Sequence, residues 1–211
     1  GGDSHDPNHS HDHGHSHDHD LDDPDGWSLY GLIDTTKVRC LNESLPGSGL
    51  HPLKPYDKRA TTEPYLQSNE DDPELILYIP FTQVVKIKSI CVVGGGGGTA
   101  PEHVRIWTNR DDIDFGNAED LPCTQEVDLF EENLGASMDY PLVPRKFQNV
   151  SSLVLFFTGN YGADSTVISY IGLKGENTNF RHGVVEAVYE ARPQAEDHKS
   201  PANEFTNHSV L

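Results

Sequence analysis

At 211 residues, 35% hydrophobic and with a formal net charge of −19, the chain has room for one fully cored domain but too little apolar content to bury its whole length. The first 26 residues carry eight Asp and no Lys or Arg, and taking those eight charges from −19 leaves −11 for the rest. An acidic body repels phosphate backbones and anionic lipid head groups, which argues against nucleic acid and membrane surfaces as main partners; a basic protein surface suits it better, and solubility alone is the favoured account of the acidity.

No stretch approaches the ~20 apolar residues of a membrane span, and no leader pattern opens the chain, so a soluble intracellular protein is the expectation. Asn42-Glu43-Ser44 and Asn149-Val150-Ser151 then read as chance matches to the N-glycosylation pattern.

In residues 1–26, His9, His11, His13, His15, His17 and His19 alternate with Ser, Asp and Gly. A segment with so little to bury is expected to stay disordered. Alternating imidazoles with interleaved Asp can also hold Zn²⁺, Ni²⁺ or Cu²⁺, but closing a flexible chain around an ion costs entropy, and the structureless tail is the favoured reading.

The body begins at Trp27. Ser28 to Ile33 reads as a short strand, with Asp34 or Thr35 placed to cap a helical turn through Leu41. Asn42 to Glu63 contains Pro46, Gly47, Gly49, Pro52 and Pro55 and reads as a long irregular connection. Glu74 to Phe81 alternates, with Leu75, Leu77, Ile79 and Phe81 on one face, and Pro80 marks an edge strand or a strand exit because it lacks a ladder donor. Val84 to Val93 is a second β-rich run, with Lys86 and Lys88 on one face near its start and apolar residues on both faces later, as in a strand passing from rim to core. His103 to Thr108 is a short strand with Val104 and Ile106 inward. Gln125 to Leu129 fits a strand, whereas Val127, Phe130 and Leu134 fit helical spacing, and the pattern does not separate the two.

Arg145 to Gly175 is the most strongly patterned stretch. Two apolar runs flank a turn rich in Gly, Asn and Asp at 159–164, the pattern of two neighbouring strands. Leu153, Leu155 and Phe157 share one face and Val154 and Phe156 the other, so both faces are covered and the strand is central. In the second run Val167, Ser169, Ile171 and Leu173 alternate with Ile168, Tyr170, Gly172 and Lys174, one face more polar than the other. Gly183 to Ala191 alternates again, and from Arg192 onward the chain is polar and unpatterned. About eight short strands with turns dense in Gly and Pro predict an all-β fold, a β-sandwich over 27–191 between disordered tails at 1–26 and 192–211.

The chemistry-bearing residues are scattered. Cys40, Cys91 and Cys123 lie far apart with no Cys-x-x-Cys, so thiol–disulfide exchange lacks its paired thiolate. Cys91, inside an apolar pattern, reads as a small buried hydrophobe. Gly94 to Gly98 fails as a phosphate loop, because no Lys-Ser/Thr follows and Pro101 discourages a helix; a mobile loop is favoured. Asp111, Asp112 and Asp114, like Asn69, Glu70, Asp71 and Asp72, lack calcium-loop spacing and read as turn carboxylates capping backbone N–H groups. His51, His103 and His182 have no recognisable partner spacing, and neither Gly-x-Ser-x-Gly nor His-Glu-x-x-His occurs. No catalytic, cofactor-binding or metal residue is assigned, and the chain reads as a non-enzyme.

The words Lys146-Phe147-Gln148-Asn149-Val150 and Ile168-Ser169-Tyr170-Ile171-Gly172, with Cys40-Leu41-Asn42-Glu43-Ser44 upstream, resemble the PITH domain. The resemblance runs from about Tyr30 to Tyr189 and takes in Leu66 to Leu77, Phe81 followed by Val85-Lys86-Ile87, and Asp114-Phe115. It implies a jelly-roll-like sandwich similar to galactose-binding-type modules, in a cytoplasmic and nuclear protein that associates with the regulatory particle of the 26S proteasome. Fused relatives carry a thioredoxin domain ahead of this one. Here a His-rich leader stands in that place, so the redox activity is not carried over and the chain looks like the stand-alone branch. The family gives no residue-level interface, which leaves the partner-binding residues open. The expected function is that of a non-catalytic, cofactor-free and monomeric protein-interaction module. The alternative is a small-ligand binder, for a sugar or Ca²⁺, on sandwich-end loops such as Gly94 to Pro101 and Gly159 to Asp164; metal handling by the tail ranks third.

Overall fold

One strand of 20 residues, Leu75–Gly94, runs through the middle of the computed structural model, which describes residues 27–178. In chain order the strands are β1 (Arg39–Leu41), β2 (Leu66–Gln67), β3 (Leu75–Gly94), β4 (His103–Thr108), β5 (Gln125–Asp128), β6 (Tyr140–Pro141), β7 (Val150–Phe157) and β8 (Val167–Asn177). The pairings are antiparallel, in the order β2-β8-β3-β7-β4-β5 with β1 and β6 also on β3. None of the described helices is long and apolar enough to cross a membrane.

The two strands predicted over Glu74 to Phe81 and Val84 to Val93 are thus one. The first half of β3 pairs with β1, Arg39 opposite Tyr78, and with β7, Leu75 opposite Phe157. Its second half pairs with β8, Val85 opposite Asn177, and with β6, Ile90 opposite Tyr140. Between them the register on β7 shifts, from Pro80 to Val85, and Thr82, Gln83 and Val84 stand exposed. Pro80 therefore sits at a corner where the strand passes from one layer to the next, neither at an edge nor at an exit. A residue without an N–H fits where the ladder is interrupted, and here the chain continues through the interruption.

This corner makes the sandwich. Leu75, Leu77 and Ile79 of β3, Val104 and Ile106 of β4 and Leu153, Leu155 and Phe157 of β7 face Ile90 and Val92 of β3 and Ile168, Ile171 and Leu173 of β8 across one buried core. The outer face of the first layer has a smaller core of its own, in which Ile76, Trp107, Val154 and Phe156 are covered by Ile113 and Ala118 from the β4–β5 connection. On the outside of the second layer Cys91 and Tyr170 pack with Ala136. The predicted division of β7, with odd residues on one face and even on the other, is borne out: each set enters a different core.

Four expectations are corrected. β7 and β8, read as neighbours, are held apart by β3, which inserts between them. In β8 it is Ile168, and not Val167 or Ser169, that joins Ile171 and Leu173 in the main core; a register shift between Val93 and Gly94 adds a residue and resets the alternation. Ser28 to Ile33 is not a strand but single bridges at Ser28 and Ile33 around a 3₁₀ turn, Tyr30–Leu32. Leu29 and Ile33 are buried while Gly31 between them is exposed, which breaks the two-residue alternation a strand would keep. The helical turn expected from Asp34 through Leu41 gives way to a turn and β1. The Asp34 carboxylate accepts from the Thr36 hydroxyl at 2.6 Å and its N–H at 3.3 Å, a local arrangement that competes with helix. Gln125 to Leu129 resolves as strand β5. The alternating segment Gly183 to Ala191 and both tails lie outside the described residues.

Candidate binding groove

The connection from β1 to β2 folds back on itself as two arms. The first begins at Asn42, in the left-handed region (φ 70°) that Asn tolerates better than most residues. Its Nδ2 donates to the Glu74 carbonyl at 2.7 Å and the Asp72 carbonyl at 3.2 Å, and its Oδ1 accepts from Asn69 at 2.8 Å. Glu43 accepts from the Gly47 and Gly49 N–H groups, both at 2.7 Å, one on each carboxylate oxygen. A side chain at Gly49 would meet Cys40 Cβ at 2.7 Å, so the arm lies directly on β1. The word Cys40-Leu41-Asn42-Glu43-Ser44 is therefore a latch that fixes this arm.

The second arm, 63–67, contains a cis peptide at Glu63-Pro64 and leads into β2. His51 joins the arms through Nδ1, 2.8 Å from the Tyr65 carbonyl. Between the arms lies a groove of about 520 Å³, within the size range of small-ligand sites. Leu45, Pro64 and Tyr65 give it apolar surface, and Leu45 and Tyr65 are 59% and 40% exposed. Ser44, Ser48, His51, Glu63 and Gln67 supply its polar groups.

The hydrogen bonds already made fix what these groups still offer. A carbonyl only accepts, so His51 Nδ1 carries the proton, and Nε2 of the neutral ring is left as an acceptor. The Gln67 amide donates to Ser165 Oγ at 2.8 Å, leaving its oxygen and its second N–H. The Ser48 hydroxyl is buried and has no hydrogen-bond partner among the described residues, a state that costs about 1–3 kcal/mol.

The loops Gly94 to Pro101 and Gly159 to Asp164, expected as a possible ligand site, are brought together, but mainly onto each other. Tyr161 N–H donates to the Ala100 carbonyl at 3.2 Å, Val167 N–H donates to Thr99 at 2.8 Å, and Pro101 bridges Asn160. Part of the glycine run answers to packing and backbone geometry: a Cβ on Gly94 would lie 2.5 Å from Ala100 Cα, and Gly97 and Gly98 take φ 67° and 82°. The acidic turns behave as expected. Asp114 accepts from Gly116 N–H at 2.8 Å, Asp72 accepts from Glu74 N–H at 3.2 Å, and Arg110 clasps Asp112. His103 lies 2.8 Å from Asp128, its cross-strand neighbour. Cys91 is buried, and burial pushes its thiol, like that of Cys40, up to about 12. Among the described residues no group of three or more His, Cys, Asp or Glu is placed to hold a metal ion; His9 to His19 and His182 lie outside them. In the sequence this connection reads only as irregular, because His51 and Tyr65 are joined through a backbone carbonyl and leave no periodic signal.

The chain matches the PITH domain family over residues 19–193. It is 40% identical over 190 residues to PITH domain-containing protein 1 of Dictyostelium discoideum, covering 90% of this chain and 93% of that protein. To PITH domain-containing protein 1 of Homo sapiens it is 34% identical over 174 residues, covering 82% of this chain and 81% of that protein. Among solved structures, the CBM32-1 and CBM32-2 domains of Clostridium perfringens ZmpB, in complex with GalNAc, match with a TM-score of 0.51 at 9% identity, over 70% of this chain and 35% of that one. At such identity the likeness shows the fold alone, the galactose-binding-like sandwich expected from the family words.

Proposed function

The chain belongs to the PITH domain family, and from that premise we propose that it is a non-catalytic, monomeric protein-interaction module that associates with the regulatory particle of the 26S proteasome, or with a partner in that pathway, in the cytoplasm and nucleus. The observation that carries the reading is the charge of the stretch that holds β4, β5 and the connection between them. From Glu102 to Glu132 ten carboxylates are exposed, and the two arginines among them are already engaged. Arg105 donates to Glu126 and to the carbonyls of Glu119 and Leu121, and Arg110 holds Asp112. Such a stretch steers a basic protein surface toward the module and keeps nucleic acid away. The raised thiols of Cys40 and Cys91 support the non-catalytic part, since the thiolate and not the thiol is the nucleophile.

A tagged full chain in cell extract is expected to enrich regulatory-particle subunits. Recovery no better than with an unrelated acidic β-sandwich would remove the reading. The small-ligand alternative, a sugar or Ca²⁺ at the Gly94 and Gly159 loops, has behind it only a fold likeness, and a thermal-shift screen with galactose and Ca²⁺ decides it.

A further inference from the structure

The groove between residues 42–51 and 63–67 is rich in acceptors and lined by no Lys or Arg. Nε2 of the neutral His51 ring, the amide oxygen of Gln67 and the carboxylate of Glu63 accept, the hydroxyls of Ser44, Ser48 and Tyr65 accept or donate, and one N–H of Gln67 is left to donate. Among its lining residues Glu63 is the one carboxylate. The cations of the same connection are occupied elsewhere: Lys54 Nζ donates to the Thr61 carbonyl at 3.2 Å, Lys58 pairs with Asp57, and Arg59 lies over the Tyr56 ring.

We propose that this groove receives an arginine or lysine side chain from a basic segment of the partner protein. A guanidinium brings five donors and no acceptor, the complement of this lining. Glu63 supplies the counter-charge, the exposed Tyr65 ring a face for the cation, and Leu45 and Pro64 a surface for the methylene stem. The Ser48 hydroxyl, buried and unpartnered at the groove, is the group with most to gain from a ligand hydrogen bond. A saccharide fits less well, since it brings no positive charge for Glu63 to pair with. The proposal rests on the reading of the chain as a protein-interaction module and gives that reading a place and a chemistry.

The test uses the full chain, labelled for NMR and titrated with a blocked pentapeptide carrying one central arginine, with its citrulline version and with galactose. The arginine peptide is expected to shift the backbone amides of His51, Tyr65 and Gln67. Citrulline, or the Glu63→Gln variant, should weaken binding by about fivefold, the scale of one solvent-touched ion pair. No shift with millimolar arginine peptide, an equal response to citrulline, or a response to galactose at the same amides overturns the proposal. Capture from extract separates the two levels. If wild type enriches the regulatory particle and Glu63→Gln with Tyr65→Ala does so equally, while retaining the wild-type amide spectrum elsewhere, the groove falls and the function stands. If wild type captures nothing yet binds the arginine peptide, the function falls and the groove stands.

Discussion

Two of the irregular regions of the sandwich serve opposite ends. At the glycine-rich loop and its partner at 159–164, backbone groups close on one another and the glycines let the chains approach. In the β1–β2 connection, backbone groups are served by Asn42, Glu43 and His51, and several side-chain acceptors are left over. A conspicuous composition marked the structural region, and an ordinary one marked the region with unsatisfied chemistry. Glycine answers a demand of backbone geometry, whereas a binding site needs side chains with capacity to spare.

That contrast can be tested from its largest effect downward. Cys40 lies beneath the groove arm, Cys91 packs with Ala136 and Tyr170 on the strand that leads into the glycine loop, and burial lifts both thiols from 9.0 to about 12. Since their folded pKa is raised, the stabilisation is full below pH 9.0 and is lost as pH climbs toward about 12. Urea unfolding between these limits should show a falling midpoint, with a shallower fall in the Cys40→Ala, Cys91→Ala double variant. Next, Gly94→Ala forces a Cβ against Ala100 and should cost about 3 kcal/mol in urea unfolding, while leaving the amide signals of His51 and Tyr65 in place. Asn42→Ala removes both donations, to Glu74 and Asp72, and should cost about 2 kcal/mol, with those groove amides shifting. The smallest effect has the opposite sign. Ser48→Ala deletes a buried hydroxyl without a partner and should leave stability unchanged or raise it by about 1 kcal/mol; a loss of more than that would mean the hydroxyl is satisfied after all.

β4 was legible to its end residues, since His103 to Thr108 carries an alternation with Val104 and Ile106 inward and nothing interrupts it. The continuity of β3 was not, because Pro80 and the exposed Thr82 to Val84 look the same at a strand exit and at a corner. The second core on the outside of the first layer was half legible: Val154 and Phe156 announced a covered face, but not that Ile113 and Ala118 would cover it. Of the groove, Pro46, Gly47, Pro52 and Pro55 marked an irregular connection. The meeting of His51 with Tyr65 carried no mark at all.

Taken alone, the amino-acid order determined what repeats locally: which faces of β4 and β7 are apolar, where turns fall, and which words tie the chain to its family. Those features follow from the two-residue period of a strand and from the backbone preferences of Gly, Pro and Asn. Tertiary structure alone decided that β3 serves both layers, that it separates β7 from β8, and that two arms of one connection enclose a groove of acceptors. Each of these depends on pairings between residues distant in the chain, where the balance of burial and hydrogen bonding is struck in space and leaves no periodic trace in sequence.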